Sequence, residues 1–539
     1  MTSSSSSSSP VDLIVVGGGI NGLGIVRDAA ERGLSVVLVE QEDICHGVSA
    51  WSGRLIHGGL RYLEHYDFGL VRESLRERER LFKVAPHLVK PVSLIMPFYA
   101  KNTRPSWLIR MGMLAYDVLS FDKSVPWHKV LSKKKVTDRF QGMEQNGLSG
   151  AAVFIDGQVE YAERLLVELA IAASDAGATL RLHEKVTGVI TEGKTVVGVT
   201  TEKDGKAHSI HARLVINAAG PWVDRVTGQH DGLSSSPRLI GGSKGSHIIV
   251  DPFPGAPDDV VYYESQSDGR LVLVIPWMGR YLIGCTDILF DEEPDNARAE
   301  TDEISYLLNE TNTLIPEAHL TIDDVLYTYS GVRPLPYVPG VKEWKIPRSH
   351  IVHDHEPEGL ANFLSIVGGK LTTYRQLAED ATDIAMKRLR GAKGSPMSKD
   401  SPFPGAPGDT VALRERLLRS SGLDGDVVDR LVDIYGRRAE AIVDIVASDA
   451  ALAERFDPHS AAIAAELVFG VKEEFAETLT DLFARRLLLA FHPGHGLDGL
   501  ERAAEIIAPT LEWKPADKKR NIEQYRTWLD HLRIPQHTS

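Results

Sequence analysis

Cysteine is almost absent from this chain: Cys45 and Cys285 are the only two, and they lie far apart. That scarcity excludes a disulfide framework and any cysteine-rich zinc site, and it suits a reducing, cytoplasmic compartment. Long apolar runs are missing as well. No stretch approaches the ~18 uninterrupted apolar residues of a membrane-spanning helix, so the chain is expected to lie on a membrane at most, not to cross one. Positive charge is in deficit, with 60 basic against 74 acidic side chains and a formal charge of −14, which argues against a nucleic-acid partner. Any anion site must therefore be local, built from a few arginines or lysines on an acidic background. The opening MTSSSSSSSP lacks the basic and apolar regions of a secretory signal and reads as a disordered serine-rich tail over residues 1–10. No metal site is assigned, and no internal repeat emerges.

What is present is ordinary globular material, 43% hydrophobic and 25% charged, in 539 residues, enough for two to four domains. DLIVV (12–16) reads as a buried parallel strand, broken by GGGINGLG (17–24). A helical pattern follows until Gly33, and SVVLVE (35–40) is a second buried strand ending on an acid. Gly17, Gly19 and Gly22 match G-x-G-x-x-G. The first glycine permits the tight turn, the second lets backbone approach a pyrophosphate, and the third lets helix and strand pack closely. Glu40 is placed to hydrogen-bond a ribose hydroxyl. Strand, helix and acid all sit where dinucleotide binding needs them.

Further along, residues 70–88 read as a helix whose arginine run forms a solvated, ion-paired face. Residues 92–150 are irregular. A helix over roughly 161–177 precedes strand-like TLRLHEKVTGVI (179–190) and VVGVTTEKDG (196–205), and RLVINAAGPW (213–222) is a strand entering a glycine turn. Residues 245–290 alternate like antiparallel strands, and strand and glycine signals return in FLSIVGGKLTTYR (363–375). Pro, Gly and Ser cluster over 391–408, a linker, and 409–539 reads as a helical domain. The segment GVSAWSGRLIHGGLRYLE (47–64) is of mixed chemistry, joining Arg54, His57 and Arg61 to a glycine pair and the aromatics Trp51 and Tyr62.

GGGINGLG, RLIHGGLRYLEH, NAAGPW, KGSHIIV, SGVRPL and GGKLTTYR together resemble the FAD-dependent glycerol-3-phosphate dehydrogenases, within the D-amino-acid-oxidase-like flavoprotein superfamily. The resemblance spans roughly residues 11–390, and the helical tail is similar to that family's C-terminal domain. It implies an α/β fold, α+β overall, with a Rossmann-like FAD-binding domain, an antiparallel-sheet substrate domain (roughly 92–150 and 240–325) interleaved with it over 11–390, and the helical C-terminal domain.

The resemblance also implies a site. FAD is expected against Gly17, Gly18, Gly19, Ile20, Asn21 and Gly22, and against Glu40 and Gln41. Arg54, Leu55, His57 and Gly58 follow in the opening segment, then Val186, and then Ala219, Gly220 and Trp222. The last contacts expected are Gly369, Lys370, Leu371 and Thr372, with Gly368 and Gly369 letting backbone near the flavin. A phosphate dianion needs bidentate donors, for which Arg61, Arg333, Arg348 and Lys370 are the candidates, with Tyr62 and Thr372 adding hydrogen bonds. The reaction implied removes hydride from C2 of sn-glycerol 3-phosphate to flavin N5, giving dihydroxyacetone phosphate. His57 is the first candidate for taking the C2 hydroxyl proton, ahead of His247, with a cationic partner such as Arg333 or Lys370 as the other solution. Val48 and Gly53 depart from the family, which usually carries hydroxyl residues there.

A quinone is the acceptor implied, with oxygen, giving hydrogen peroxide, as the alternative of related oxidases. An amine or amino-acid oxidase on the same fold is a more distant rival. RPSWLIRMGMLAY (104–116) and VPWHKVLSKKK (125–135) are candidates for peripheral contact with the cytoplasmic face of a membrane. Homo-oligomeric assembly stays open.

Overall fold

The computed structural model describes residues 9–229, 237–341, 346, 348–389 and 398–535, with Arg61 and His65 described in backbone only. Most of the expected tail (1–8) and the first part of the linker (391–397) lie outside the described residues. The chain divides into two compact units, each of three segments. The first holds residues 1–50, 166–242 and 333–401; the second holds 51–165, 243–332 and 402–539.

The first unit is built on the strand Val11–Val16, which pairs in parallel with Val36–Val39 on one side and Lys206–Asn217 on the other. Phe363–Val367 extends the sheet in parallel beyond Lys206–Asn217, and Thr179–Arg181 does so beyond Val36–Val39. Central strands covered on both faces read as unbroken apolar runs, which is why DLIVV, VVLV and FLSIV carry no alternation. Ile14, Val16, Val37, Val39, Val215 and Phe363 form one core beneath them. The helix Ile20–Glu31 crosses between the first two strands and lies close to the helix Tyr374–Leu389. A Cβ at Gly24 would stand 2.8 Å from the Tyr374 ring, so these helices meet where one has no side chain. Gly33, at φ +85°, ends the helix as expected.

The second unit carries a ten-stranded sheet among the described residues. Leu271–Trp277 pairs antiparallel with Val260–Glu264 and with Arg280–Gly284, but Val260–Glu264 runs parallel to Val89–Tyr99, so the sheet is mixed. Residues 92–150 are more regular than their composition implies. They give the rest of Val89–Tyr99, the helix Ser106–Leu119, a short strand and helix, and the start of the strand Leu148–Val159. The helical segment after residue 402 shares a hydrophobic core with the sheet: Phe483, Leu487 and Phe491 pack in one cluster with Met96, Tyr327 and Trp277. ARRLLLAF (484–491) is apolar because all of it is buried there.

One expectation fails in this unit. The helix Phe68–Val84 does not carry its arginines on a solvated face throughout, because Arg78 is fully buried. Its guanidinium binds Asp156 at 2.6 Å, Glu79 at 2.8 Å and the Ile155 carbonyl at 3.0 Å. Burial disfavours the charged guanidinium, but Asp156 more than restores it, and the group is held more basic than usual. A periodic pattern does not distinguish an arginine paired with a distant strand from one paired with water.

Candidate active site

In the first unit the glycine turn is fixed by backbone geometry. Gly17 lies at φ +111°, and a Cβ there would stand 2.6 Å from the Ala218 carbonyl oxygen. A Cβ at Gly22 would fall well inside 3.0 Å of the Gly17 carbonyl oxygen. At Gly19, φ is −79° and the nearest atom to a Cβ would be Ser49 Oγ at 3.6 Å, leaving space above the start of the helix. That helix has no side-chain cap at Gly19, and an uncapped helix start is an arrangement that binds phosphate. The Ile20 amide donates to Ser49 Oγ at 3.2 Å.

Glu40 is buried, with one oxygen accepting from the Gly18 amide at 2.6 Å and the other from the Glu42 amide at 2.9 Å. Burial pushes its carboxyl up, while the two amides oppose this. The carboxylate is thus clamped at the end of the second strand, beside Gln41. Asn21 Nδ2 donates to the Gly368 carbonyl at 3.1 Å, whereas Asn21 Oδ1 is buried and meets no donor among the described residues. An orphaned acceptor beside an uncapped helix start and a glycine cradle fits a ligand that carries hydroxyl and phosphate groups, as FAD does.

The remaining expected residues of this unit gather around the same turn. Asn217 holds the NAAGPW corner, donating to the Val223 carbonyl at 2.9 Å and accepting from the Ala219 amide at 3.3 Å. Gly220 has φ +59° with nothing within 4 Å of a Cβ, and Trp222 leans on Gly47. Val186 is buried in the strand Lys185–Glu192. Gly368 and Gly369 have φ +78° and +95°, and a Cβ at Gly369 would stand 2.6 Å from Asn21 Nδ2. The Gly368 amide donates to the Pro334 carbonyl at 2.8 Å, and a Cβ at Gly368 would meet the Ser349 carbonyl at 3.0 Å. The backbones of Arg333, Arg348 and Lys370 lie one or two residues from these contacts. Leu371 is half-buried and Thr372 buried just beyond it.

The opening segment begins the second unit at Trp51. Arg54, at φ +54°, is fully buried and binds Glu163 through two bonds of 2.7 and 2.8 Å, with Trp277 4.6 Å from its charge centre. Burial alone would weaken the charge; Glu163 holds it and raises the guanidinium's basicity. The expectation that this side chain serves the cofactor meets a guanidinium already committed to a carboxylate. Leu55 and Ile56 form a short strand against Gln158 and Gly157. Gly58 donates its amide to Tyr116 Oη at 2.8 Å, and that hydroxyl donates to Asp156. His57 is half-buried between these anchors, and Arg61 and Tyr62 lie in the 3-10 turn Leu60–His65. His247 is buried, with its ring centroid 4.9 Å from that of Tyr329. Gly53 faces His247: a Cβ there would stand 3.6 Å from Nε2, ordinary contact with room for a hydroxyl. Sequence reasoning missed Ser49, Asn217, Tyr116 and Glu163. Only Asn217 had a signal, as the polar residue ending an apolar strand.

Comparison with known proteins agrees with this geometry. The family model "FAD dependent oxidoreductase" matches residues 12–375, and "C-terminal domain of alpha-glycerophosphate oxidase" matches 397–518. A glycerol-3-phosphate dehydrogenase of Synechocystis sp. is 43% identical over 97% of each chain. A D-erythritol 1-phosphate dehydrogenase of Brucella abortus is 35% identical, over 92% of this chain and 97% of that one. The crystal structure of a glycerol-3-phosphate dehydrogenase from Bacillus halodurans complexed with FAD superposes with a TM-score of 0.81 at 25% identity, covering 99% of this chain and 97% of that one. With a matched model over most of its length and a glycine cradle built for a dinucleotide, the chain belongs to the FAD-dependent oxidoreductase family, with FAD as its cofactor.

Proposed function

We propose that the protein oxidises the C2 hydroxyl of sn-glycerol 3-phosphate to the ketone of dihydroxyacetone phosphate and passes the electrons to a membrane quinone. The observation that supports this reading is the backbone convergence at Gly368, two residues before Lys370. Its amide donates to the Pro334 carbonyl next to Arg333, its Cα faces the Ser349 carbonyl next to Arg348, and its carbonyl accepts from Asn21 on the nucleotide-binding helix. Three cationic residues with their backbones near one turn, in a chain with net charge −14, favour a dianion over the single carboxylate of an amino acid. Relatives named for glycerol 3-phosphate and for a second polyol phosphate agree with that chemistry.

Bound FAD supplies a two-electron acceptor beside the substrate carbon. In this reading Arg333 and Arg348 bind the phosphate, Lys370 and Thr372 orient the C2 hydroxyl, and Gly368 and Gly369 let backbone approach without side chains intervening. Arg61 and Tyr62 are assigned to the phosphate and His57 to the hydroxyl proton, as their family-like contexts imply. Purified protein should be yellow, and anaerobic sn-glycerol 3-phosphate should bleach it. Colour that persists in substrate excess rejects the assignment. Peroxide yield in air against turnover with a quinone analogue separates oxidase from dehydrogenase.

The quinone reading is supported by the helix Ser106–Leu119. Trp107, Met111, Leu114 and Val118 recur at helical spacing along an exposed stripe, with Phe121 and Trp127 exposed beyond it. Arg110, Lys129 and the lysines at 133–135 are exposed in the same region of sequence. An apolar stripe accompanied by basic residues suits the interface of an anionic bilayer, and no helix among the described residues is long and apolar enough to cross one. Sedimentation with anionic vesicles should carry the protein down and lose the Trp107→Glu, Met111→Glu double variant; equal recovery of both sinks the membrane reading.

A further inference from the structure

A second cluster of chemistry-bearing side chains lies in the first unit, at the hairpin joining Ile351–Asp354 to Phe363–Val367. His353 lies on the strand and His355 just past its end, at the start of the 3-10 turn Glu356–Glu358. The turn that follows is fixed by backbone bonds: the Glu358 amide donates to the His355 carbonyl at 3.1 Å, and the Leu360 amide to the same oxygen at 3.0 Å. This returns Glu358 between the two imidazoles. Its Oε1 meets His353 Nε2 at 2.7 Å and its Oε2 meets His355 Nδ1 at 2.8 Å. The rings stand edge-on, 4.6 Å between centroids.

We propose that His353, His355 and Glu358 form a binding site for a divalent transition metal of the zinc class. Two imidazoles and a carboxylate are a borderline-soft donor set of the kind zinc takes. One ligand atom from each residue lies within 4.8 Å of the other two. A tetrahedral ion with bonds of about 2.0–2.1 Å spaces its ligand atoms about 3.3 Å apart. The hydrogen-bonded cluster is therefore slightly too tight, and a small rotation of Glu358 accommodates the ion.

Binding needs the nitrogen that faces Glu358 in each ring to be unprotonated, its proton moving to the ring's other nitrogen or to solvent, and no redox change occurs. His355 is fully buried and its far nitrogen, Nε2, meets Ser365 Oγ at 2.8 Å, the outer hydrogen bond that fixes a ligating imidazole. His353 and Glu358 are partly exposed, which leaves an entry path and a position for water. The flanking acids Asp354 and Glu356 are held by Arg388, which keeps that cation on its own pair of carboxylates. Three protein ligands with an open fourth position define a tunable site, and Ser365 lies three residues before the Gly368–Gly369 pair.

The full-length, flavin-loaded protein, treated with chelator and desalted, is titrated with zinc by calorimetry and with cobalt(II) by visible absorption. The expected result is a saturable site of one equivalent and a cobalt spectrum of low coordination number. His353→Gln and Glu358→Gln should each weaken it at least tenfold, while His211→Gln, on an exposed strand position, leaves it unchanged. Unaltered flavin content and metal-free melting temperature show that the variants are folded. If the first variant misfolds, the second decides alone. No saturable binding by the native protein, or native affinity retained in the His353 and Glu358 variants, overturns the assignment.

Discussion

Gly19→Ala and Gly22→Ala, made separately, distinguish two uses of glycine in a single turn. At Gly22 the added methyl meets backbone, the Gly17 carbonyl, which must retreat by about 1 Å to restore normal contact, and it carries with it the turn that positions Gly18. Overpacking of this kind costs about 1–3 kcal/mol, and rigid backbone on both sides puts this case at the upper end. At Gly19 the chain itself has no objection. Its φ of −79° suits any residue, and Ser49 Oγ at 3.6 Å is an ordinary neighbour. Removing glycine's freedom from the unfolded chain should even stabilise the apoprotein by about 0.4–1 kcal/mol.

Yet the Gly19 methyl stands over the uncapped helix start, where the pyrophosphate must approach backbone. The same overpacking range then falls on the ligand, weakening FAD by about tenfold to a hundredfold. Melting of deflavinated protein and fluorescence titration with FAD read the two effects apart. Gly22→Ala should lower both stability and affinity, and Gly19→Ala affinity alone. Native FAD affinity in Gly19→Ala refutes the close-approach argument, and an unchanged melt in Gly22→Ala refutes the packing argument.

Three further perturbations test other parts of the structure. Glu163→Gln leaves the Arg54 guanidinium buried without its carboxylate and should destabilise by about 3–5 kcal/mol, seen as a lower urea midpoint; an unchanged midpoint refutes a paired, buried Arg54. Burial would raise the Glu474 carboxyl, but Arg164, Arg438 and Arg486 override it and hold it at about 2. Its folded value is depressed, so its contribution is present above about pH 4.5 and is lost as pH falls toward 2; the native melting temperature should drop across that window with a component absent from Glu474→Gln, and identical pH slopes contradict this. Gly53→Ser should fold and bind FAD normally, because its Cβ meets only His247 Nε2 at 3.6 Å; a loss of stability above 1 kcal/mol shows the site to be tighter than described.

Much of the first unit was legible because its signals are local. Gly17, Gly22 and Glu40 announce strand, turn, helix and strand within thirty residues, and each sits where that motif predicts. The Arg54–Glu163 pair was illegible because its partners are 109 residues apart, and nothing near Arg54 distinguishes a committed guanidinium from an available one. Arg78 misled for the same reason, its carboxylate lying 78 residues away on a strand. The parallel pairing of Val260–Glu264 with Val89–Tyr99 was hidden too, since alternation reports burial of a face and not the direction of the neighbouring strand. His353, His355 and Glu358 are close in sequence, but only the turn after His355 makes them one cluster.

The bond from Asn21 to the Gly368 carbonyl spans 347 residues of chain. At a synthesis rate of about 5–20 residues per second, about 20–70 s pass between the emergence of its two ends from the ribosome. Throughout that interval the glycine turn exists without the loop that completes it. Flavin loading is thus a late event in the life of the nascent chain, and any protein released before residue 368 is made leaves the ribosome without its cofactor cradle closed.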